Sequence, residues 1–467
     1  MPRHGALSLA GFSLLVATGC SLDSHPFEST NCVRPAFLSQ SVSGRSGNVL
    51  SGLASATTRD ADSVVARFGI TSSLSQSSPF SIPVQDSVRI PILGLAPEAR
   101  YEVQLSATNR CGSTTGEMMS FTTGSLPADL PAYDAVGPAP DSGYIAFGAG
   151  NYGIVIDNTG RVVWYHRFTN GPGLNFQAQP NGRYAARPNA GPGKAGTWIE
   201  IDPLGDTTRI LTCVNGLQPR MHDMIAAVDG SYWLMCDETR TLDLSAQGRT
   251  AAERITGTAV QHLSATGELL FSWSPFDHIG IDLSILDAAD LSATPINWTH
   301  GNAIDLTDDG SVIVSFRNLN ELVKIDTKTG DVVWRLGGSN SSFTFANSSA
   351  PPFRHQHGVR AVGSDIMLLD NLGEPGTSRG ERYVLDPSAR TARMTATFPA
   401  PPGVVAQLGG STQSLGSHTL VAFGNGGGLD EYDSAGNVVW HVVGNAGYVF
   451  RAQRIRSLYR PGAGDPR

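Results

Sequence analysis

The chain has 467 residues, a formal net charge of −8 and only 16% charged residues. That balance gives no basic surface for nucleic acid and leaves room for one small domain plus a large closed one. Hydrophobic residues make up 40% and glycines number 53, a turn-rich composition that suits an exported all-β protein.

In chain order, residues 1–19 read as an export signal. Arg3 and His4 lead an apolar run, Ala6 to Ala17, that ends in Ala17-Thr18-Gly19-Cys20. The run is too short to cross a bilayer as a helix, and no other stretch is apolar enough to do so. Its end resembles a bacterial lipoprotein signal, cleaved before a cysteine that then carries lipid. Cys20 is therefore the expected lipidation site, and Ser21 in place of Asp implies passage to the outer membrane. An ordinary signal peptide with a chance cysteine is the alternative. Residues 20–31 form the tether. The other four cysteines allow three pairings in an oxidising compartment. Domain limits favour Cys32–Cys111 and Cys213–Cys236, and no CxxC spacing points to a metal.

Residues 32–124 read as a small β-domain. Tyr101-Glu-Val-Gln-Leu-Ser-Ala107 alternates apolar and polar residues with the period of a half-buried strand. With Leu95 and Pro97 before it and Phe121-Thr-Thr123 at its close, the spacing resembles a fibronectin type III sandwich, which implies a spacer or docking module. Prolines 127, 131, 138 and 140 mark residues 125–140 as a linker.

From residue 141 to 467 a unit repeats. One half is a strand ending in Asp-x-x-Gly, often followed by Val-Val-Trp: Asp157 with Gly160 to Trp164, Asp202, Gly267, Asp326 with Gly330 to Trp334, Asp386, and Asp433 with Gly436 to Trp440. The other half is a hairpin turning at Asn181-Gly182, Asp229-Gly230, Asp309-Gly310, Gly363-Ser364 or Gly416-Ser417. Six copies of about four strands predict a six-bladed β-propeller, whose ring hides its sheet edges and leaves a central channel. The Val-Val-Trp elements are expected to pack blade against blade.

His222, His300 and His357 open the channel strand of three units. They lie eight, ten and six residues before Gly230, Gly310 and Gly363, which places each roughly 20–30 Å from its turn. The returning strands bring Arg317, Asp237 and Asp370 to the same end, with Asn302 and Asn371 nearby. Asn175 and Gly410 hold the matching places in two other units. His355 stands two residues from His357, on the same side of an extended strand. His166, His262, His278, His418 and His441 read as structural or surface residues. Three imidazoles fit a metal site or group transfer on an oxyanion. Arg317 favours the second, because a guanidinium repels a cation but matches oxyanion oxygens. In that chemistry a neutral imidazole attacks while Arg and protonated His hold the developing charge.

Asn297-Trp-Thr-His-Gly-Asn302, Ser315-Phe-Arg-Asn318, Met221-His-Asp223, Gln356-His357, Leu369-Asp-Asn371 and Phe450-Arg-Ala-Gln-Arg-Ile-Arg-Ser-Leu-Tyr459 closely resemble the bacterial arylsulfate sulfotransferase family over about residues 141–460. The resemblance implies a six-bladed propeller that moves a sulfuryl group from an aryl sulfate to a phenol without a nucleotide donor or a cofactor. His357 matches the histidine that becomes sulfated. His222, His300 and Arg317 match the residues that bind sulfate oxygens and assist proton transfer. Asn302 and Asn371 are carried as substrate-side polar residues. The expected partners are the two small aromatic substrates and, through the lipid, a membrane in the outer membrane, periplasm or cell surface; a homodimer is compatible. The lipoprotein signal, the fibronectin-like module, Met224 and Gly358-Val359 depart from the family's best-known members. Two other readings stand beside this one: a non-catalytic cell-surface propeller binding a protein or glycan, and a quinone- or metal-dependent propeller enzyme.

Overall fold

The computed structural model describes residues 32–138, 140–173, 175–188, 196–346, 353–373 and 377–466. The signal, the tether and Cys20 lie outside them. Among the described residues no helix is long and apolar enough to cross a membrane.

The first unit is two sheets packed face to face. One holds strands Ala36–Gly44, Ser51–Arg59 and Ser87–Leu93; the other orders Gln76–Ser77, Ser63–Gly69, Arg100–Asn109 and Gly112–Thr122. The alternation read from the sequence is the packing itself: Tyr101, Val103, Leu105 and Ala107 point into a core with Val64, Phe68, Ile90 and Ile92. Tyr101 sends its hydroxyl back to accept from Ala96 N at 2.8 Å. Cys32 and Cys111 are joined by a disulfide. Leu50 and Leu93 bury themselves among propeller side chains, so the unit rests on the ring.

The remainder is a propeller of antiparallel sheets in which the inner strand of the second to sixth sheets belongs to a hairpin recognised in the sequence. The second sheet runs Gln177–Ala178, Tyr184–Ala186, Trp198–Ile201, Thr207–Leu211 from the channel outward; the third runs Gln218–Ala226, Tyr232–Leu242, Glu253–Leu263, Leu269–Trp273. The fourth runs Gly301–Leu306, Val312–Phe316, Glu321–Ile325, Val332–Gly337; the fifth, His357–Val362, Asp365–Asp370, Arg379–Asp386, Thr391–Pro399; the sixth, Ser411–Ser414, His418–Ala422, Leu429–Asp433, Val438–Val442. The first sheet is composite. Tyr144–Ala149, Tyr152–Ile156 and Val162–Arg167 receive their innermost strand, Ala452–Ile455, from the far end of the chain. This closes the ring, and no hairpin in the sequence marks it.

The tryptophans join neighbouring sheets. Trp164 Nε1 donates to Pro203 O of the next sheet at 2.8 Å, Trp273 to Gly330 O at 3.1 Å, and Trp440 of the sixth sheet to Asn158 O of the first at 2.8 Å. Cys213 and Cys236 are disulfide-bonded. The segment read as a linker is partly structured. Ala135–Val136 pairs with Val442 and His441 and adds an outer strand to the sixth sheet, which satisfies backbone groups that an open edge would leave bare. Between the third and fourth sheets, residues 274–297 carry two short helices, Pro275–His278 and Ala288–Ser292, and a two-residue strand, Ile296–Asn297.

Candidate active site

The three inner strands that carry the histidines share a fault. The ladder of Gln218–Ala226 slips between Pro219 and Met224, that of Gly301–Leu306 between Gly301 and Ala303, and that of His357–Val362 between His357 and Arg360. A bulge re-aims the side chains beside it, and here each bulge lies at or next to a histidine. His300 and His355 also adopt left-handed backbone, φ +47° and +54°, a conformation held only where surroundings enforce it. Gly358, φ +60°, sits so close to the sixth sheet that a Cβ would lie 2.7 Å from Ser411 Cα.

These distortions bring the rings together. His222 meets His300 edge-on at 5.0 Å between centroids and lies 5.6 Å from Phe450; Phe450 in turn meets His357 edge-on at 6.2 Å. Arg317, directly after the strand Val312–Phe316, returns to the same end, with its N–H on His300 O at 3.1 Å.

The hydrogen bonds assign the tautomers. His357 Nδ1 faces two oxygens, His355 O at 2.9 Å and Asn371 Oδ1 at 2.8 Å. The Asn371 amide cannot turn around, because its Nδ2 donates to Ala406 O at 2.8 Å and Gly409 O at 2.9 Å. Nδ1 of His357 therefore carries the proton, and Nε2 keeps a lone pair. His300 has the opposite form. Asn297 Nδ2 donates to Asp290 Oδ1 at 2.6 Å and meets His300 Nδ1 at 2.7 Å. Facing a carboxylate fixes that nitrogen as a donor, so His300 Nδ1 accepts and Nε2 bears the hydrogen. His222 Nδ1 is buried with no hydrogen-bond partner.

All three rings are held neutral. Burial pushes His357 down to about 4; the Asn371 hydrogen bond opposes the shift and Arg317 adds to it. His222 and His300 keep part of their surface open, yet enclosure by protein, followed by the charge of Arg220, holds both well below the ordinary imidazole value. Burial and the neighbouring guanidinia thus favour the neutral ring at each position, and a protonated histidine would be stabilised there by the substrate's negative charge. Arg317 is oriented from behind. It donates to Asn318 Oδ1 at 2.6 Å, approaches Asp290 Oδ2 at 3.5 Å and meets His355 Nδ1 at 3.1 Å. His355 Nε2 lies 3.1 Å from Asp287 Oδ2, which marks His355 as a support for Arg317.

The other expected residues separate. Asn302 is fully buried; its Nδ2 donates to Gln356 O at 2.6 Å while Oδ1 has no partner. Asn371 commits its amide to the protein, as above. Asp237 joins the site as an ion pair with Arg220. Asp370 instead accepts from Arg354 N at 3.0 Å and pairs with Arg379 at 3.3 Å. Arg220, Arg187, Asp287 and Asp290 are not singled out by sequence, and Asn297 and Phe450 open quoted motifs without a role of their own. Arg187 repeats the placement of Arg317 and was findable from the repeat; the two aspartates lie in an insertion that breaks it.

The site's donors are neutral imidazoles and guanidinia, a set suited to an anion. Among the described residues, Asp141, His418 and Glu431 have metal-like spacing. Arg454 already donates to Glu431 Oε2 at 2.9 Å, and the group serves as a tie at the edge of the sixth sheet.

A family model described as "Arylsulfotransferase (ASST)" matches residues 218–445, a span that holds His222, His300, Arg317 and His357. No curated protein matches the chain. Among solved structures, a Bacteroides caccae protein of unknown function is 14% identical, covers 68% of this chain and 100% of its own, and has a TM-score of 0.43. A streptogramin B lyase is 13% identical over 67% of this chain and 84% of its own, with a TM-score of 0.38. Virginiamycin B lyase of Staphylococcus aureus is 12% identical over 75% and 93%, with a TM-score of 0.35. Over residues 218–445 the propeller thus matches the arylsulfotransferase family, a match that supports a sulfotransferase.

Proposed function

We propose that the chain carries a sulfuryl group from an aryl sulfate to a phenol in two displacements, with His357 as the intermediate carrier. The observation that supports this reading best is the doubly accepted Nδ1–H of His357, which leaves Nε2 unprotonated as a nucleophile. In the first displacement the Nε2 lone pair forms an N–S bond as the S–O bond to the aryl group breaks. The sulfated ring becomes cationic, and its Nδ1–H is stabilised by the same two oxygens. The phenolate leaves with a hydrogen bond from the Nε2–H of His300 and takes its proton from His222, which is protonated as the anionic substrate binds. Arg317 and the imidazole N–H groups receive the sulfonyl oxygens. In the second displacement a phenol oxygen attacks sulfur, its proton returns to the imidazole base, and His357 is regenerated. This order gives ping-pong kinetics. Asn302 supports the loop of His357 through Gln356 O, and Asn371 sets the His357 tautomer rather than touching substrate.

Residues 32–124 serve in this reading as a fibronectin type III-like spacer, and a lipid on Cys20 holds the enzyme at a membrane after export. The test is mass spectrometry after incubation with 4-nitrophenyl sulfate. The peptide bearing His357 gains the mass of one SO₃ group, and His357→Ala loses both label and turnover. Absence of turnover across a panel of aryl sulfates, with the protein folded, would overturn the assignment.

A further inference from the structure

The two ends of the N-terminal sandwich differ. One end rests on the ring: Val49 N donates to Tyr165 Oη of the first sheet at 3.1 Å, and Arg45 pairs with Asp206 of the second. The other end lies about 30 Å away, the length of the strand Arg100–Asn109 at the usual rise per residue. The register gathers Arg59 with Ala36, Ser63 with Thr108 and Ser87 with Thr57 at that far end. The chain enters the domain there. Asn109 Nδ2 donates to Val33 O at 2.9 Å and to Asp60 O at 2.6 Å, and Cys32 is bonded to Cys111 in the turn after Asn109.

The far end also carries an apolar face. Phe80, Ile82 and Val84 are 69%, 68% and 73% exposed, and Val33 is 55% exposed. Their backbone is pinned to the sheet. Ser78 N donates to Ala66 O at 2.8 Å, and Ser81 and Val64 exchange backbone bonds at 2.8 Å each. Gln85 and Asp86, φ +48° and +62°, then turn the chain so that Val84 and Ser87 pair, and Asp86 O accepts from Thr58 N at 2.7 Å. Pro79 and Pro83 hold the residues before them extended, and alternate residues of an extended segment share a side. Large apolar side chains grouped in this way on a fixed backbone mark a contact surface. The exposed charges of this end balance, Arg34, Arg59 and Arg110 against Asp60, Asp62 and Asp86, so its contact is apolar and not electrostatic.

We propose that this end of the sandwich lies on a lipid bilayer, with Phe80, Ile82 and Val84 entering the interface. The proposal rests on the reading of Cys20 as lipid-bearing. Cys20 stands twelve positions before Cys32, at most about 40 Å of extended chain. A lipid on Cys20 therefore holds the apolar end, and not the ring end, close to the membrane. A few apolar side chains bind a bilayer weakly by themselves; the tether makes their encounter with it intramolecular. The sandwich then stands between the membrane and the propeller.

The test uses the mature lipidated chain in phosphatidylcholine vesicles. All seven tryptophans belong to the propeller, so Ile82→Trp and Ile70→Trp each add one reporter to the same background. Ile70 follows the strand Ser63–Gly69 at the ring end and is 60% exposed. In brominated phosphatidylcholine, Ile82→Trp is expected to lose most of its added emission and Ile70→Trp to keep it. Phe80→Ser with Val84→Ser weakens the quenching of Ile82→Trp, with melting curves to certify folding. No quenching of Ile82→Trp in the membrane-bound chain, or equal quenching of both reporters, overturns the proposal. A dimer in solution that Phe80→Ser dissolves, without quenching by the lipid, gives the face to a second copy and overturns it too. The mass of the N-terminal peptide reads the lipid on Cys20 separately. If that peptide carries none, the lipid reading falls. The same reporters on a chain held by a hexahistidine tag at position 20 to nickel-chelating lipid then decide the surface alone.

Discussion

The division of labour among three chemically identical rings comes from what touches Nδ1. Two oxygens at His357 and an amide donor at His300 create opposite tautomers, one offering a lone pair and the other a hydrogen. Asn371 is the residue whose removal tests this most directly. In Asn371→Leu, His357 Nδ1 keeps one acceptor, His355 O, but the ring loses its second anchor. We expect kcat to fall about 10–100-fold, the loss usual when an outer hydrogen bond to a reacting imidazole is removed, with KM changed far less. Gly409 O loses its Asn371 donor and Ala406 O keeps only the Ser378 hydroxyl at 3.4 Å, so the melting temperature drops as well. The pH profile separates the two effects. His357 reacts only when unprotonated, and its value of about 4 puts full activity above that pH and loss as pH falls through it. The Asn371 hydrogen bond favours the protonated ring, so its deletion moves the acid limb of kcat/KM to lower pH. A limb that moves upward would contradict the assignment.

At the scale of elements, the segment 274–297 does what the propeller strands cannot. Asp287, Asp290 and Asn297 reach over the channel mouth from between two sheets and orient His355, Arg317 and His300. Asp290 is the reason the Asn297 amide shows its nitrogen to both neighbours. In Asp290→Asn the carboxylate is gone, the Asn297 amide is free to flip, and His300 shifts its hydrogen to Nδ1. A fall in kcat of about tenfold or more is expected with a small change in melting temperature, since Asp290 is partly exposed and its contact with Arg317 is long. Unaltered kcat with normal folding would show that His300 does not depend on this tautomer. The segment also shows why sequence reading stopped where it did. The hairpin turns, the Asp-x-x-Gly strands and the three histidines were legible because a repeat copies them in register. Arg187 was legible by the same rule and was passed over. The aspartates of the insertion have no counterpart in other sheets, and the closing strand Ala452–Ile455 has no hairpin partner in sequence. Long-range contacts place both, and periodicity is blind to those.

At the scale of the molecule, the ring is drawn together by a single buried carboxylate. Asp223, beside His222 on the third sheet, accepts from Met224 N at 2.9 Å and from Ile304 N of the fourth sheet at 3.1 Å. It pairs with Arg360 of the fifth sheet at 3.4 Å and with Arg451, which leads into the closing strand of the first, at 2.9 Å. Arg451 also reaches Gln177 of the second sheet at 3.5 Å, and Ala452 N donates to Ser411 Oγ of the sixth at 3.2 Å. Every sheet is therefore within two hydrogen-bond steps of Asp223, and the histidine strand moves with it. Asp223→Asn keeps the volume and removes the charge, leaving two buried guanidinia without their shared carboxylate. Breaking a buried pair by deleting one partner costs about 3–5 kcal/mol, and here two pairs share the loss. Asp277→Asn, on the surface pair with Arg240 at 2.7 Å, is the control, with an expected cost below about 1 kcal/mol. Denaturant midpoints of the two variants against wild type decide the matter. If Asp223→Asn shifts the midpoint no more than Asp277→Asn, the sheets are held by apolar packing between neighbours, and the charge at the centre of the channel is dispensable to the fold.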